Sequence, residues 1–235
     1  HLEARAPRQA ALLRDMTQRG TPIPLATAQQ EFGSSATRGL EAKNLVRRTH
    51  LRLERDPLEG RAFPPDTPPV LTGAQARSVA QIERAMDSSS PQVFLLQGVT
   101  GSGKTEVYLR ALAYAMSRGK RGIVMVPEIS LTPQTIDRFG RRFPGQVAVL
   151  HSGLSSGEHF DQWWRIQQGR YGVVIGSRSA VLAPQPDLGL IVMDEEHEWS
   201  YKQQDIAPRY HTWDVAMKLA ELTRAVVILG SATPD

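Results

Sequence analysis

Residues 95–109 read "LLQGVTGSGKTEVYL". An apolar run enters a glycine-rich octet, and a helix-like pattern leaves it. The octet, Gly98 to Thr105, fits the spacing G-x-x-x-x-G-K-[ST]. Backbone N–H groups that converge on an anion need residues with no Cβ in the way, and Gly98, Gly101 and Gly103 supply them. The helix that follows points its positive end at the same place. Lys104 brings a point charge for terminal phosphates and Thr105 a hydroxyl for Mg²⁺, with Thr100 and Ser102 completing the loop. A flexible turn that fits by chance would not need a strand before it and a helix after it, and both are present here. The stretch therefore reads as a strand–loop–helix unit that binds a nucleotide phosphate.

The same alternation continues outward. "LTGAQARSVAQIERAMD" (71–87) is helical, with Ala74 to Ile82 and Ala85 periodic. Then come "QVFLLQ", the loop and its helix, "RGIVMVP", a helix near 133–142, "QVAVLH", a helix near 157–168, "YGVVIGS", "LGLIVMDEE", a helix near 211–223, and "AVVILGSAT". Six Val- and Ile-rich runs separated by helices predict an α/β fold with a parallel sheet buried on both faces. "LGLIVMDEEH" ends its strand in Asp194, Glu195, Glu196 and His197, at the edge where α/β proteins bind ligands. Asp194 suits Mg²⁺, held through water, and Glu195 suits orientation or deprotonation of an attacking water. Glu196 fits a structural ion pair equally well. His197 suits coupling of the nucleotide to a neighbouring segment, as do Ser231 and Thr233 of "GSAT" (230–233).

Before this region, residues 1–57 place Leu12, Leu13, Met16, Leu25, Phe32, Leu40, Leu45 and Val46 at helical spacing. Ser34 or Ser35 is a candidate cap for a helix over 36–43. Val46, Leu51 and Leu53 suggest strand. Three short helices and a hairpin predict a winged-helix DNA-binding domain, against the alternative of a small helical packing domain. Arg38, Arg47 and Arg48 would then grip duplex phosphates or form a solvated face. Residues 58–70 hold four of the five prolines found in 56–70 and read as a linker. Residues 71–235 are the α/β domain.

Composition sets the outer limits. The 235 residues carry 28 Lys and Arg against 24 Asp and Glu, a net charge of +4, and the pI is near 9.6. That permits a nucleic-acid partner without requiring one. No cysteine is present, which excludes disulfides and Cys-based zinc sites in this chain. No apolar run of 18 residues exists and "HLEARAPRQAALL" has no signal-peptide core, so the expectation is a soluble protein without a membrane partner. The chain starts on His1 and stops on "GSATPD", and both ends read as cuts in a longer protein.

The phosphate loop, "DEEH" and "SAT" at successive strand ends resemble superfamily 2 helicases. "VPEISLTPQ", "LHSGLS", "VIGSRSAVLAP", "LGLIVMDEEHEWSYKQQ", "RYHTWDVA" and "VILGSATP", in that order, narrow the resemblance to the family of bacterial primosomal replication-restart helicases, the PriA family. The resemblance covers nearly all of the chain, at lower specificity over 1–57. It implies a winged helix, a linker and the first RecA-like motor lobe of an ATP-dependent DNA helicase. The cofactors it implies are ATP and Mg²⁺, with a zinc module and a second lobe only beyond Asp235. It implies forked and single-stranded DNA, single-strand-binding protein and other primosome proteins as partners, in a cytoplasmic, nucleoid-associated setting.

Residue by residue, it makes Lys104, Asp194 and Glu195 catalytic, and Thr105 and Asp194 the Mg²⁺ residues. "VPEISLT" (126–132) and "IGSRSA" (175–180), with Arg178 and Ser179, would face single-stranded DNA. Gln75 resembles an adenine-recognising glutamine, and a solvated helix residue is the alternative. "WSYKQQDIAPRYHTW" (199–213) resembles an aromatic-rich loop that links DNA contact to hydrolysis. Its four aromatics among Lys202, Arg209 and His211 suit base stacking and phosphate contact. Tyr201 and Lys202 are the favoured DNA residues, and the alternative for Trp199 and Trp213 is that they are partly core. A structure-specific DNA scaffold without motor activity and a small-molecule kinase are the rival functions. The kinase leaves "DEEH" and "SAT" unexplained.

Overall fold

Side chains alternate across a strand, so a run apolar at every position must be covered on both faces. In a computed structural model the described residues are 5–49, 55–58, 60–64, 66–88, 90–203 and 207–233. They fall into two compact units, divided between residues 53 and 54.

In the second unit the six runs form one all-parallel sheet. Its strands are β1 (Val93–Gln97), β2 (Arg121–Met125), β3 (Val147–Leu150), β4 (Val173–Gly176), β5 (Leu188–Asp194) and β6 (Val226–Ser231), in spatial order β1-β6-β5-β2-β4-β3. β2 to β5 are buried along almost their whole length, as their composition requires. β1 departs from the expected two-faced burial. Val93 and Leu95 are 53% and 54% exposed, because only the Phe94 and Leu96 side of β1 packs into the core.

Among the described residues, five α-helices and a 3₁₀ segment cover the sheet. Along the chain these helices follow three described ones in the first unit, so they are numbered α4 (Gly73–Asp87), α5 (Lys104–Ser117), α6 (Pro133–Arg142), α7 (Ser156–Gln167) and α8 (Thr212–Thr223), and the 3₁₀ segment is Arg178–Leu182. Val79 and Ile82 of α4, Val107, Leu109 and Leu112 of α5, and Ile136 and Phe139 of α6 share one core with one sheet face. Ile166 of α7, Ala180 and Val181 of the 3₁₀ segment, and Ala216 and Ala220 of α8 cover the other. Local sequence sets the starts. Ser155 and Glu158 close a capping box on α7, and Thr132 caps α6 with Pro133 as its first residue. No helix among the described residues is long and apolar enough to cross a membrane.

The strand order decides what the fold can do. Ligands meet parallel sheets at the C-terminal strand ends. Adjacent β1, β6 and β5 bring the phosphate loop, "GSAT" and "DEEH" side by side, although they lie far apart in sequence. β2, β4 and β3 line up "VPEISLT", "GSRSA" and "HSGLS" on the other half.

The proline-rich segment carries no helix or strand among its described residues, and it lies pinned to this unit. Leu58 packs on the core, Phe63 lies on the α6 backbone at Gly140, and Asp66 and the Pro69 carbonyl bind Arg142 and Arg110.

In the first unit α1 (Pro7–Arg19), α2 (Leu25–Phe32) and α3 (Ser34–Ala42) bury Leu12, Ala28 and Leu40 together, with Met16, Ile23, Phe32 and Val46 around them. The expected serine cap is corrected. α3 already begins at Ser34, and the Gly33 carbonyl accepts from the Ala36 and Thr37 N–H groups. Leu51 and Leu53, on which the hairpin of a winged helix depends, lie outside the described residues. Val46 is in no strand. Arg38, Arg47 and Arg48 are exposed, and Arg48 pairs with Glu41 at 3.1 Å.

Candidate nucleotide and nucleic-acid site

The phosphate loop leaves β1 and is tied to its neighbour at once. The Gly98 N–H donates to the Ser231 carbonyl at 3.0 Å, across the β1–β6 pair. Gly103 takes φ +84°, and a Cβ there would strike the Gln75 amide, so glycine is needed for both conformation and space. Lys104 opens α5 almost fully buried. Its Nζ donates to the Gly98 carbonyl at 2.8 Å and lies 3.6 Å from Glu195 Oε1.

Gln75 is half-buried and makes two hydrogen bonds within the fold. Its Oε1 accepts from the Thr72 N–H at 2.9 Å in a capping box, and its Nε2 donates to the Ser102 carbonyl at 2.9 Å. The amide is committed at both ends and braces the phosphate loop. The T-x-x-Q spacing of "TGAQ" carried the first half of this in the sequence.

At the end of β5 the chain turns sharply. Glu195 sits at φ +48°, a left-handed conformation that costs a non-glycine residue on the order of 1–3 kcal/mol and clusters at functional sites. His197 Nδ1 lies 2.8 Å from Ser231 Oγ and 3.9 Å from Glu195 Oε2. The Thr233 N–H donates to Ser231 Oγ at 3.1 Å, and the Glu196 N–H to the Gly230 carbonyl at 3.1 Å. Lys104, Glu195, His197 and Ser231 thus form a continuous polar chain that returns to the phosphate loop through Gly98. No ion pair of Glu196 occurs among the described residues.

Asp194 is held by two tyrosines. Tyr108 of α5 donates to its Oδ1 at 2.9 Å, and Tyr201 donates to its backbone carbonyl at 2.7 Å. Burial raises the Asp194 carboxyl above the ordinary aspartate value, opposed chiefly by the Tyr108 hydrogen bond. Burial and the Asp194 charge push both phenols well above the ordinary tyrosine value, so both stay protonated donors. The Asp194 carboxylate and the Thr105 hydroxyl are hard oxygen donors, which suit Mg²⁺. No cluster of three or more His, Cys, Asp or Glu able to hold a metal occurs among the described residues. That fits an ion held by one carboxylate, nucleotide oxygens and water rather than by a protein cage.

The nucleic-acid candidates separate. Ser179, Lys202 and Arg209 are exposed. Arg178 is half-buried and braces the neighbouring loop, its Nη1 donating to the Ser200 and Lys202 carbonyls at 3.0 and 3.1 Å. Tyr201 is a correction. It is fully buried, and its backbone carbonyl accepts from Thr212 Oγ1, so it presents no surface to a base. Trp199 is 76% exposed and Trp213 41% exposed, against the alternative that they are partly core. The exposed aromatic surface of residues 199–213 therefore lies with the tryptophans. Lys202 and His211 form an isolated antiparallel bridge at its neck, where His211 also caps α8.

Two groups were missed by the sequence reading. Tyr108 stands one helical turn beyond Lys104, on the same face. Glu106, directly after Thr105, is buried beneath a guanidinium fork. Arg142 reaches its two oxygens at 3.0 and 2.8 Å, and Arg110 reaches it at 2.9 Å.

Comparison with known proteins agrees with this geometry. A family profile of the DEAD/DEAH box helicases matches residues 72–235. The replication restart protein PriA of Bacillus subtilis is 44% identical over 237 residues, covering 99% of this chain and 29% of that protein. PriA of Synechocystis is 44% identical over 217 residues, covering 92% of this chain and 24% of that protein. The chain thus spans only 24–29% of the length of these relatives. RecG bound to a three-way DNA junction superposes with a TM-score of 0.55 at 28% identity, over 72% of this chain and 22% of RecG.

Proposed function

Because this chain belongs to the DEAD/DEAH box helicase family, we propose that residues 71–235 are the first motor lobe of a PriA-type replication-restart DNA helicase. In the longer protein, ATP hydrolysis drives movement along single-stranded DNA at forked DNA. Residues 1–57 are proposed as its winged-helix domain. The observation that carries the reading is the polar chain from Lys104 through Glu195 and His197 to Ser231, built from the ends of three adjacent strands.

Each residue has a part. Loop N–H groups and Lys104 hold the phosphates, and Glu195 orients and deprotonates the attacking water. Thr105 and Asp194 hold Mg²⁺, which when bound neutralises charge on the phosphates. His197 and Ser231 pass the state of Glu195 to β6. Ser179, Lys202 and Arg209 meet the DNA backbone, Trp199 and Trp213 stack on bases, and Arg178 holds that loop in place. Single-strand-binding protein and other primosome proteins are the proposed partners, in a cytoplasmic, nucleoid-associated setting. Zinc belongs to sequence outside this chain. The 235 residues alone form half of the ATP site, binding nucleotide weakly with negligible turnover.

The test is ATP hydrolysis by the full-length protein with and without single-stranded DNA. Hydrolysis should be DNA-stimulated, and Glu195→Gln should lower it by about 10²–10⁴-fold, the usual share of a general base, with nucleotide binding retained. Hydrolysis indifferent to DNA would turn the reading towards a small-molecule kinase. Hydrolysis absent from the parent would turn it towards a scaffold.

A further inference from the structure

β6 lies between β1 and β5, so any group on α5, which follows β1, must cross over β6 to reach the end of β5. Tyr108 makes that crossing. Gly230 is the Cα partner of both Leu96 on β1 and Asp194 on β5, and it sits beneath the Tyr108 side chain. A Cβ on Gly230 would collide with the Tyr108 hydroxyl and lie 3.1 Å from Asp194 Oδ1. The glycine of "GSAT" thus leaves the space through which the phenol reaches the carboxylate.

Packing alone does not account for the hydroxyl. Tyr108 is 1% exposed within an otherwise apolar cluster, and phenylalanine would fill that volume without a polar group to desolvate. The hydroxyl goes instead to one oxygen of Asp194, the carboxylate assigned to Mg²⁺. Partners behind a metal ligand fix its orientation and are as consequential as the ligand itself.

We propose that Tyr108 is a positioning residue for the Mg²⁺ carboxylate: its phenol, passing over Gly230, holds Asp194 in the orientation that serves a magnesium–nucleotide complex. This rests on the reading of the site as a nucleotide site. It joins the phosphate-loop helix, β5 and β6 at one hydrogen bond, so a shift of α5 on nucleotide binding would be felt at Asp194 directly.

The experiment titrates Mg²⁺ into the 235-residue chain with a fluorescent ADP analogue. In the parent, Mg²⁺ should strengthen nucleotide binding. Tyr108→Phe should raise the half-saturating Mg²⁺ concentration by about 10–100-fold, the range for removing such a supporting partner. Its metal-free nucleotide affinity should stay at the parental value. Gly230→Ala, which displaces the phenol from the other side, should give the same Mg²⁺ phenotype, and the two changes combined should cost less than their sum. An unchanged Mg²⁺ requirement in Tyr108→Phe overturns the proposal, as does an equal loss of binding with and without metal. If the parent binds no nucleotide, or binds it without regard to Mg²⁺, the nucleotide-site reading itself fails.

Discussion

Lys104→Ala in the full-length protein is expected to lower nucleotide hydrolysis by about 10²–10³-fold, the effect of removing one preorganised charge contact from a reacting centre. The ammonium sits between the Gly98 carbonyl and Glu195, at the mouth of the loop and the foot of α5. Alanine deletes the charge and keeps the helix, since it is the best helix former. Glu195 loses its cation at the same time, so the double change with Glu195→Gln should cost little more than either alone, as groups that act as a unit do. Single-turnover hydrolysis measures this, with the thermal midpoint recorded to confirm folding. A variant that hydrolyses at the parental rate would place the phosphates elsewhere.

Arg142→Ala is expected to destabilise the second unit by about 3–5 kcal/mol, the usual cost of removing one member of a buried ion pair. Arg142 bridges Glu106 and Asp66, with Arg142 and Glu106 side chains 8% and 4% exposed. Alanine leaves the Glu106 carboxylate buried with Arg110 as its remaining cation. Breaking a buried pair differs from replacing it, so Glu106→Leu with Arg142→Met should recover much of the loss. Urea unfolding of the three variants tests both statements. The pH dependence has a definite sign. Burial alone would raise the Glu106 carboxyl, but the Arg142 and Arg110 bonds outweigh it, and it lies below its ordinary value of 4.5. Its contribution to stability is therefore complete above that ordinary value and is lost as pH falls through the lower folded-state value. Arg142→Ala should show a weaker acid-dependent loss there, because most of the contribution is already gone.

The sheet was legible in the sequence because strands covered on both faces must be apolar throughout, as β2 to β5 are, and short Val- and Ile-rich runs alternating with helical stretches mark them. Helix starts were less legible: the cap read at Ser34 or Ser35 fails because α3 already begins at Ser34. Strand order was not legible: nothing local to β6 says that it inserts between β1 and β5. The same limit explains Tyr201. An aromatic in a loop of no fixed period is buried or exposed according to a distant partner, here the Asp194 carbonyl, and composition could not rank it against Trp199. Tyr108 looked like ordinary helix core for a similar reason, since its carboxylate lies 86 residues away.

The pinned proline-rich segment changes where the second unit can be cut. A truncation starting at residue 71, just ahead of the stretch that the helicase profile matches, would strip Leu58, Phe63, Asp66 and Pro69 from α5 and α6. It would bare Arg142 on the side that Asp66 covers, one ion pair away from the helix that carries Lys104. What reads as a tether between neighbours is an outer layer of the second unit, and its attachments reach back to Arg55, whose N–H is fastened to Asp161.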